Sequence, residues 1–441
     1  MKTAVRIVPA DVLTPIGAYR ALAQPQASCL LESVESGGRI SRYSFIGLDY
    51  RAAQDFEPAP DLYDRVRAFI ADHRATGENA SLGGALLAFA YDAARCDARL
   101  ARRKPSRPAM PAAYVAIPAT WLIFDHFTDR LTLWCSGDDA RSCERRIGGY
   151  LDRLLAARPA MPEALRARGA MSASLDRERF LDLAGEVKRR IFEGDVYQLQ
   201  LGIRFGAELA GSAFDLYRAL RRENPSPYMF YVDTSFGQML GASPEFLVRL
   251  EGRKARIRPL AGTRWRGRDD DEDARLAAEL LANEKERAEH VMLVDLGRND
   301  LGSVCEYGSV QVDELLQIER YSHVMHIVSN VVGQLRENCD ALDLFRAGFP
   351  AGTVTGTPKM RAMQLIDDLE PVTRGFYAGS IGRWSFGGDF DSCITLRSVH
   401  VQDGRAWWQA SAGIVADSDP GAEYREVFDK TRIARAVLGV E

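Results

Sequence analysis

No run in the 441 residues approaches the ~18 uninterrupted apolar residues of a membrane span, and the start, Met1-Lys2-Thr3-Ala4-Val5-Arg6, lacks an apolar stretch before a cleavage site. Lysine is scarce. Seven of the 57 basic residues are Lys, so fifty are Arg, dispersed among acids at a net charge of −4. With no basic tract, neither nucleic acid nor an anionic membrane is an expected partner. The seven cysteines are odd in number and contain no C-x-x-C pair, which excludes a disulfide frame and a zinc site. They fit reduced thiols and a cytoplasmic setting. There is no G-x-S-x-G elbow, H-E-x-x-H or dinucleotide fingerprint. Gly352-Thr353-Val354-Thr355-Gly356-Thr357-Pro358-Lys359 misses the phosphate-loop spacing, and Pro358 removes an amide donor from it.

What is present is ordinary globular chemistry, 46% apolar and 27% charged, with length for two or three domains at about 150 residues each. Residues 1–160 read mostly as strands: Cys29 to Val34 and Arg42 to Gly47 around a turn at Ser36-Gly37-Gly38, then Ala113 to Phe124 and Leu131 to Cys135 as a hairpin. Asp139 to Ala157 reads as a helix. Pro159 and Pro162, with weak periodicity after them, make 161–173 an expected linker. Beyond it, residues 174–441 mix strands (Gln238 to Gly241, Ile394 to Arg397, Trp407 to Ala410) with helices. One helix is expected from an N-cap at Ser174 to Gly194, and others over Asp271 to Arg298, Lys359 to Leu369 and Ala422 to Val437. The elements arrive in blocks, so the expected class is α+β.

Two carboxylate pairs stand out. Glu286 and Glu289 are i, i+3 on one helix, and Glu423 and Glu426 repeat the spacing on another. Facing each other, these helices would offer four oxygen donors to a hard cation such as Mg²⁺, although solvated helix faces carry the same spacing by chance. Lys430 follows Glu426 by four residues, either as a surface pair or as a cation for an anionic substrate. His326, in Tyr321-Ser322-His323-Val324-Met325-His326, is either a tuned base or a structural hydrogen-bonded group. Arg397, at an apolar strand end, is a carboxylate binder or an exposed arginine.

The order of several longer strings resembles the chorismate-utilising enzymes, most closely the anthranilate synthase component I family. They are Asn224 to Phe230, Gly241-Ala242-Ser243-Pro244-Glu245, Arg258 to Arg264, Glu286 to Asp300, Tyr321 to Gly333, Phe349 to Glu370, Asp391 to Arg397 and Gln409 to Lys430. The resemblance implies a two-lobed fold of large antiparallel-rich sheets facing each other, with helices packed outside. It implies Mg²⁺ on Glu289 and Glu426, with Glu286 and Glu423 holding its waters. The ring carboxylate of chorismate would meet the metal, and Arg397, Tyr377 and the amide of Gly413 would take the enolpyruvyl carboxylate. Gly262, Thr263, Thr353 and Lys430 resemble the remaining pocket positions. Glu245 would protonate the departing hydroxyl, and His326 would assist removal of the ring proton. Leu30-Leu31-Glu32-Ser33 and Pro227-Tyr228-Met229 resemble a tryptophan feedback site.

Two positions discriminate among members. Gln198 stands where water-using relatives resemble one another in having Lys, so ammonia is the expected nucleophile. Ala261 stands where aminodeoxychorismate synthases carry a nucleophilic Lys. The expected activity is conversion of chorismate and ammonia to anthranilate and pyruvate, with ammonia from a separate glutamine amidotransferase subunit in a hetero-oligomer. The alternative is 2-amino-2-deoxyisochorismate synthesis, the amination without elimination. Trp265, Ser411 and the pair Leu199-Gln200 depart from the family pattern. A silent sensing relative would be expected to lose a ligand Glu, His326 or Arg397, and none is lost.

Overall fold

The computed structural model describes residues 1–33, 42–98, 104, 107–162, 165–321 and 324–440. The turn expected at Ser36-Gly37-Gly38 lies outside them, as do Ser322 and His323.

The architecture branches at the strand Ala113–Asp125, which is buried along nearly its whole length. One of its edges runs the length of strand Tyr43–Phe56. The other is shared: Ala113 to Ala116 pair with strand Gly84–Phe89, and Thr120 to Asp125 pair with strand Arg130–Gly137. Pro118, which has no N–H to give a ladder, stands between the two halves. From here two antiparallel arms diverge. One passes from Tyr43–Phe56 through Ser28–Glu32, Tyr228–Thr234, Gly237–Ser243, Ser398–Gln402 and Arg405–Ile414 to Gln198–Ala210. The other passes from Gly84–Phe89 through Ser380–Ser385, Phe390–Ile394, Phe246–Glu251 and Lys254–Ile257 to Val324–Gln334, which also holds Leu260–Trp265. The fold is thus α+β, with 20 strands among the described residues and helices packed outside. Among the described residues no helix is long and apolar enough to cross a membrane.

Two large apolar cores result, and both mix residues from either side of the expected linker. Phe89, Trp121 and Trp134 share one with Phe230, Phe345 and Phe390. Leu30, Ile46 and Tyr150 share the other with Phe180, Tyr217 and Trp408.

Several expectations need correction. Residues Arg166–Ala173 of the expected linker form a strand, because Arg166 to Ala173 ladder onto the edge of Gln198–Ala210. The helix expected to start from Ser174 is capped instead by Asp176, whose side chain accepts from the Arg179 amide, while the Ser174 hydroxyl accepts from the Arg204 amide. The single helix expected over 271–298 is two, Asp270–Ala282 and Glu284–Gly302. Asn283 breaks it by ending the first through its N–H and capping the second through its side chain. The strand expected to reach Arg397 stops at Ile394, since Arg397 takes a left-handed backbone (φ 47°).

Candidate active site

Glu245 immediately precedes the strand Phe246–Glu251 and is buried. Burial penalises its ionised form and pushes its pKa up to about 8, only partly offset by the Thr353 hydroxyl, which donates to Oε1 at 3.2 Å. A carboxyl held this way carries its proton at pH 7 and serves as an acid. Thr353 comes from the short helical turn Gly352–Val354, which lies against Glu245, Pro259 and Asp300 around a small recess.

His326 lies on Val324–Gln334 opposite Thr263 of Leu260–Trp265. Burial lowers its pKa to about 4, and the charges of Arg397 and Lys430 push the same way. Its Nδ1 stands 2.9 Å from the Gly262 carbonyl and 3.1 Å from the Thr263 hydroxyl. A carbonyl only accepts, so Nδ1 carries the proton and Nε2 is left as the basic nitrogen. Gly262 makes this possible: it sits at the bulge with φ 67°, and a Cβ there would meet Glu286 Oε2 at 3.1 Å. The Arg397 side chain makes no hydrogen bond or ion pair among the described residues, while its carbonyl accepts from the Ala242 amide. The residue as a whole is exposed, yet burial of its guanidinium among protein atoms lowers its pKa. Its positive φ is a costly conformation for a residue with a Cβ, held here between two strands.

The four carboxylates come together only in part. Burial raises the pKa of Glu289, and the charges of Glu286 and Glu426 push the same way. Glu423 is raised by burial and by Glu426. Yet Glu426 pairs with Lys430 at 2.7 Å, Glu286 pairs with Arg264 at 3.2 Å, and Glu289 accepts from Gln198 Nε2 at 2.8 Å. Among the described residues no group of three or more metal-binding side chains is gathered into a site. The donor set nevertheless fits a divalent cation in its chemistry. It is all hard oxygen, its like charges repel, and the buried Oε1 of Gln198 beside it has no partner.

Tyr377, Ser411, Gln200 and Gly413 form a third group. Tyr377 Oη is 2.7 Å from Ser411 Oγ, and Ser411 donates to Gln200 Oε1 at 2.8 Å. Gly413 pairs with Gln200 across the sheet, and a Cβ on it would meet the side-chain amides of Gln198 and Gln200 at 2.9 and 3.0 Å. Lys430 Nζ reaches the Ser411 carbonyl at 2.9 Å. Beneath them the buried pair Glu370–Arg374 holds the Gly202 amide and the Gln200 carbonyl, with Arg374 over the rings of Tyr91 and Tyr377. Sequence reasoning did not single out this clamp; its only signal was an i, i+4 acid–base spacing. Gln200 and Ser411 were visible as departures, but not as neighbours.

Glu32 and Met229 are cross-strand partners, so the five feedback-like residues share one place. Glu32, Ser33, Pro227, Tyr228 and Met229 line a cavity of about 660 Å³ that also reaches Glu245. Within it Glu32 is buried and held by Arg221 at 3.0 Å and by the Tyr217 hydroxyl at 2.5 Å.

A profile of the chorismate binding enzymes matches residues 26–436. The chain is 42% identical to anthranilate synthase component 1 of Thermus thermophilus, over 96% of this chain and 95% of that one. It is 43% identical to the protein of that name from Streptomyces coelicolor, over 96% and 86%. The crystal structure of anthranilate synthase component I from Streptococcus pneumoniae superposes with a TM-score of 0.83 at 32% identity, covering 98% of this chain and 99% of that one. The chain therefore belongs to the chorismate-binding enzymes, in the anthranilate synthase component I branch.

Proposed function

We propose that this chain converts chorismate and ammonia to anthranilate, pyruvate and water, the entry step of tryptophan synthesis. The observation that carries it is the opposite pKa displacement of two buried groups, Glu245 and His326, which leaves one protonated acid and one neutral base at pH 7. Glu245 gives its proton to the departing 4-hydroxyl, which would otherwise leave as hydroxide. Ammonia bonds to C2. His326 Nε2 then takes the C2 proton as the enolpyruvyl group leaves and the ring becomes aromatic. Arg397, Tyr377 and the Gly413 amide hold the enolpyruvyl carboxylate, with Gly262, Thr263, Thr353 and Lys430 completing the pocket. Glu289 and Glu426 would hold Mg²⁺ directly, and Glu286 and Glu423 through water. The ion would neutralise their repulsion and bind the ring carboxylate.

Gln198 supports ammonia over water. An amide is no base for water, while its unpartnered Oε1 is placed to accept from an N–H. The component 1 name of the relatives supports a second component, here a glutamine amidotransferase subunit supplying ammonia. Seven cysteines with no disulfide among the described residues support a reducing, cytoplasmic setting. The 660 Å³ cavity beside Glu32 and Met229 supports a tryptophan feedback site.

The test is the purified chain with chorismate, Mg²⁺ and excess ammonium salt, followed by anthranilate fluorescence and pyruvate assay. Equal yields of both, lost with EDTA or in Glu426→Gln, are expected. An aminated product retaining its enolpyruvyl group would replace this reading with 2-amino-2-deoxyisochorismate synthesis. Turnover without ammonia would defeat the argument from Gln198. Activity unchanged in saturating tryptophan would remove the feedback site.

A further inference from the structure

Gln200 and Ser411 touch each other, and both touch the carboxylate-binding region. The protons in this contact can be counted. The Gln200 Oε1 atom only accepts, so Ser411 spends its single proton on it at 2.8 Å. Ser411 must then accept at its 2.7 Å contact with Tyr377, which spends the Tyr377 proton in turn. In this polarity the tyrosine presents only lone pairs, and a carboxylate presented to it finds no donor. Turning the Gln200 amide end over end reverses the chain. Nε2 then donates to Ser411, Ser411 donates to Tyr377, and Tyr377 donates outward.

The surroundings permit that turn and little else. The Gln200 carbonyl is held by Arg374 at 2.9 Å and the Ser411 carbonyl by Lys430 at 2.9 Å, so both backbones are pinned. The Gln200 amide nitrogen lies 3.0 Å from where a side chain at 413 would begin, and Gly413 leaves that space open.

We propose that Gln200 and Ser411 are positioning residues which, through the orientation of the Gln200 amide, decide whether Tyr377 can donate a hydrogen bond to the carboxylate of the bound substrate. The proposal rests on the assignment of Tyr377 as a carboxylate ligand made above.

The test is steady-state kinetics with chorismate on variants whose melting curves establish folding. Gln200→Glu can only accept and locks the chain against donation. It raises KM about tenfold while kcat changes far less, as expected for one lost hydrogen bond to a charged group. In Ser411→Ala the chain is cut, and the same change raises KM less than about twofold. Gln200→Met removes the competing acceptor, lets Ser411 donate to Tyr377 and lowers KM. An equal penalty from Gln200→Glu in both backgrounds would mark simple charge repulsion and overturn the proposal. So would a rise in KM for Gln200→Met, which would mark a role in shape alone. If Gln200→Glu does not fold, the sign of the Gln200→Met effect, and its disappearance in Ser411→Ala, decides. Tyr377→Phe separates the two levels. An unchanged KM there removes the tyrosine as a ligand and the proposal with it, whereas a raised KM beside failed Gln200 predictions rejects the relay alone.

Discussion

At the scale of single residues, one cause acts on two groups in opposite senses. Burial disfavours charge, so it keeps the proton on Glu245 and off His326. The acid must be protonated, so kcat/KM falls as pH rises through about 8. The base must be neutral, so kcat/KM falls only as pH drops toward about 4, well below an ordinary imidazole. A pH profile of kcat/KM is expected to show both limbs. Glu245→Gln is expected to lower kcat/KM by about a hundredfold or more and to erase the alkaline limb. The same shift has a cost in stability. Between the ordinary 4.5 and about 8 the folded chain holds a proton that the unfolded chain releases, so stability declines as pH rises through this window. Glu245→Gln is therefore expected to raise the thermal midpoint at pH 8 by about 1–3 °C while destroying activity.

At the scale of elements, positioning depends on helix ends. Asn283 closes Asp270–Ala282 and opens Glu284–Gly302, accepting from the Glu286 amide at 3.0 Å. That places Glu286 and Glu289 in the first two turns of the second helix, near Glu426 of helix Pro420–Leu438. Were the helices continuous at this point, the two glutamates would follow a different axis. Asn283→Ala is expected to cost about 1 kcal/mol of stability. It should also raise several-fold the Mg²⁺ concentration for half-maximal activity, read from a metal titration against the melting curve. Weakened metal response without loss of stability, or the reverse, would separate the cap from the site.

At the scale of the whole molecule, the chain is tied together across long sequence separations. Arg67 of helix Leu62–His73 binds Asp340 and Asp343 at the start of helix Ala341–Gly348. Phe345 of that helix stacks on Phe89 with centroids 4.4 Å apart and on Phe349 at 4.8 Å. Since residues before 160 and after 174 share both cores, they are expected to unfold in one transition. Phe345→Ala, which empties a fully buried ring, should cost about 3–5 kcal/mol. Tryptophan fluorescence and residual activity in denaturant should then report the same lowered midpoint. Two separated transitions would count against a shared core.

How much of this was legible depends on whether the signal is local. The helix Lys359–Leu369 was expected with its observed ends, because its apolar spacing and the preceding proline are read within one segment. The hairpin of Ala113–Asp125 and Arg130–Gly137 was equally local. The strand Arg166–Ala173 was missed, since it is an edge strand with mostly exposed residues whose only reason to be extended is its partner. Motif order carried Glu245, His326, Arg397 and the glutamate pairs, and so the family. Sequence could not say that burial would displace Glu245 and His326 in opposite directions, because desolvation belongs to the packed environment. Nor could it show that two departures from the family pattern 211 residues apart are hydrogen-bonded partners. Composition and motifs determined what chemistry this chain can hold. Only tertiary structure, by bringing strand Gln198–Ala210 beside Arg405–Ile414, decided which groups share protons.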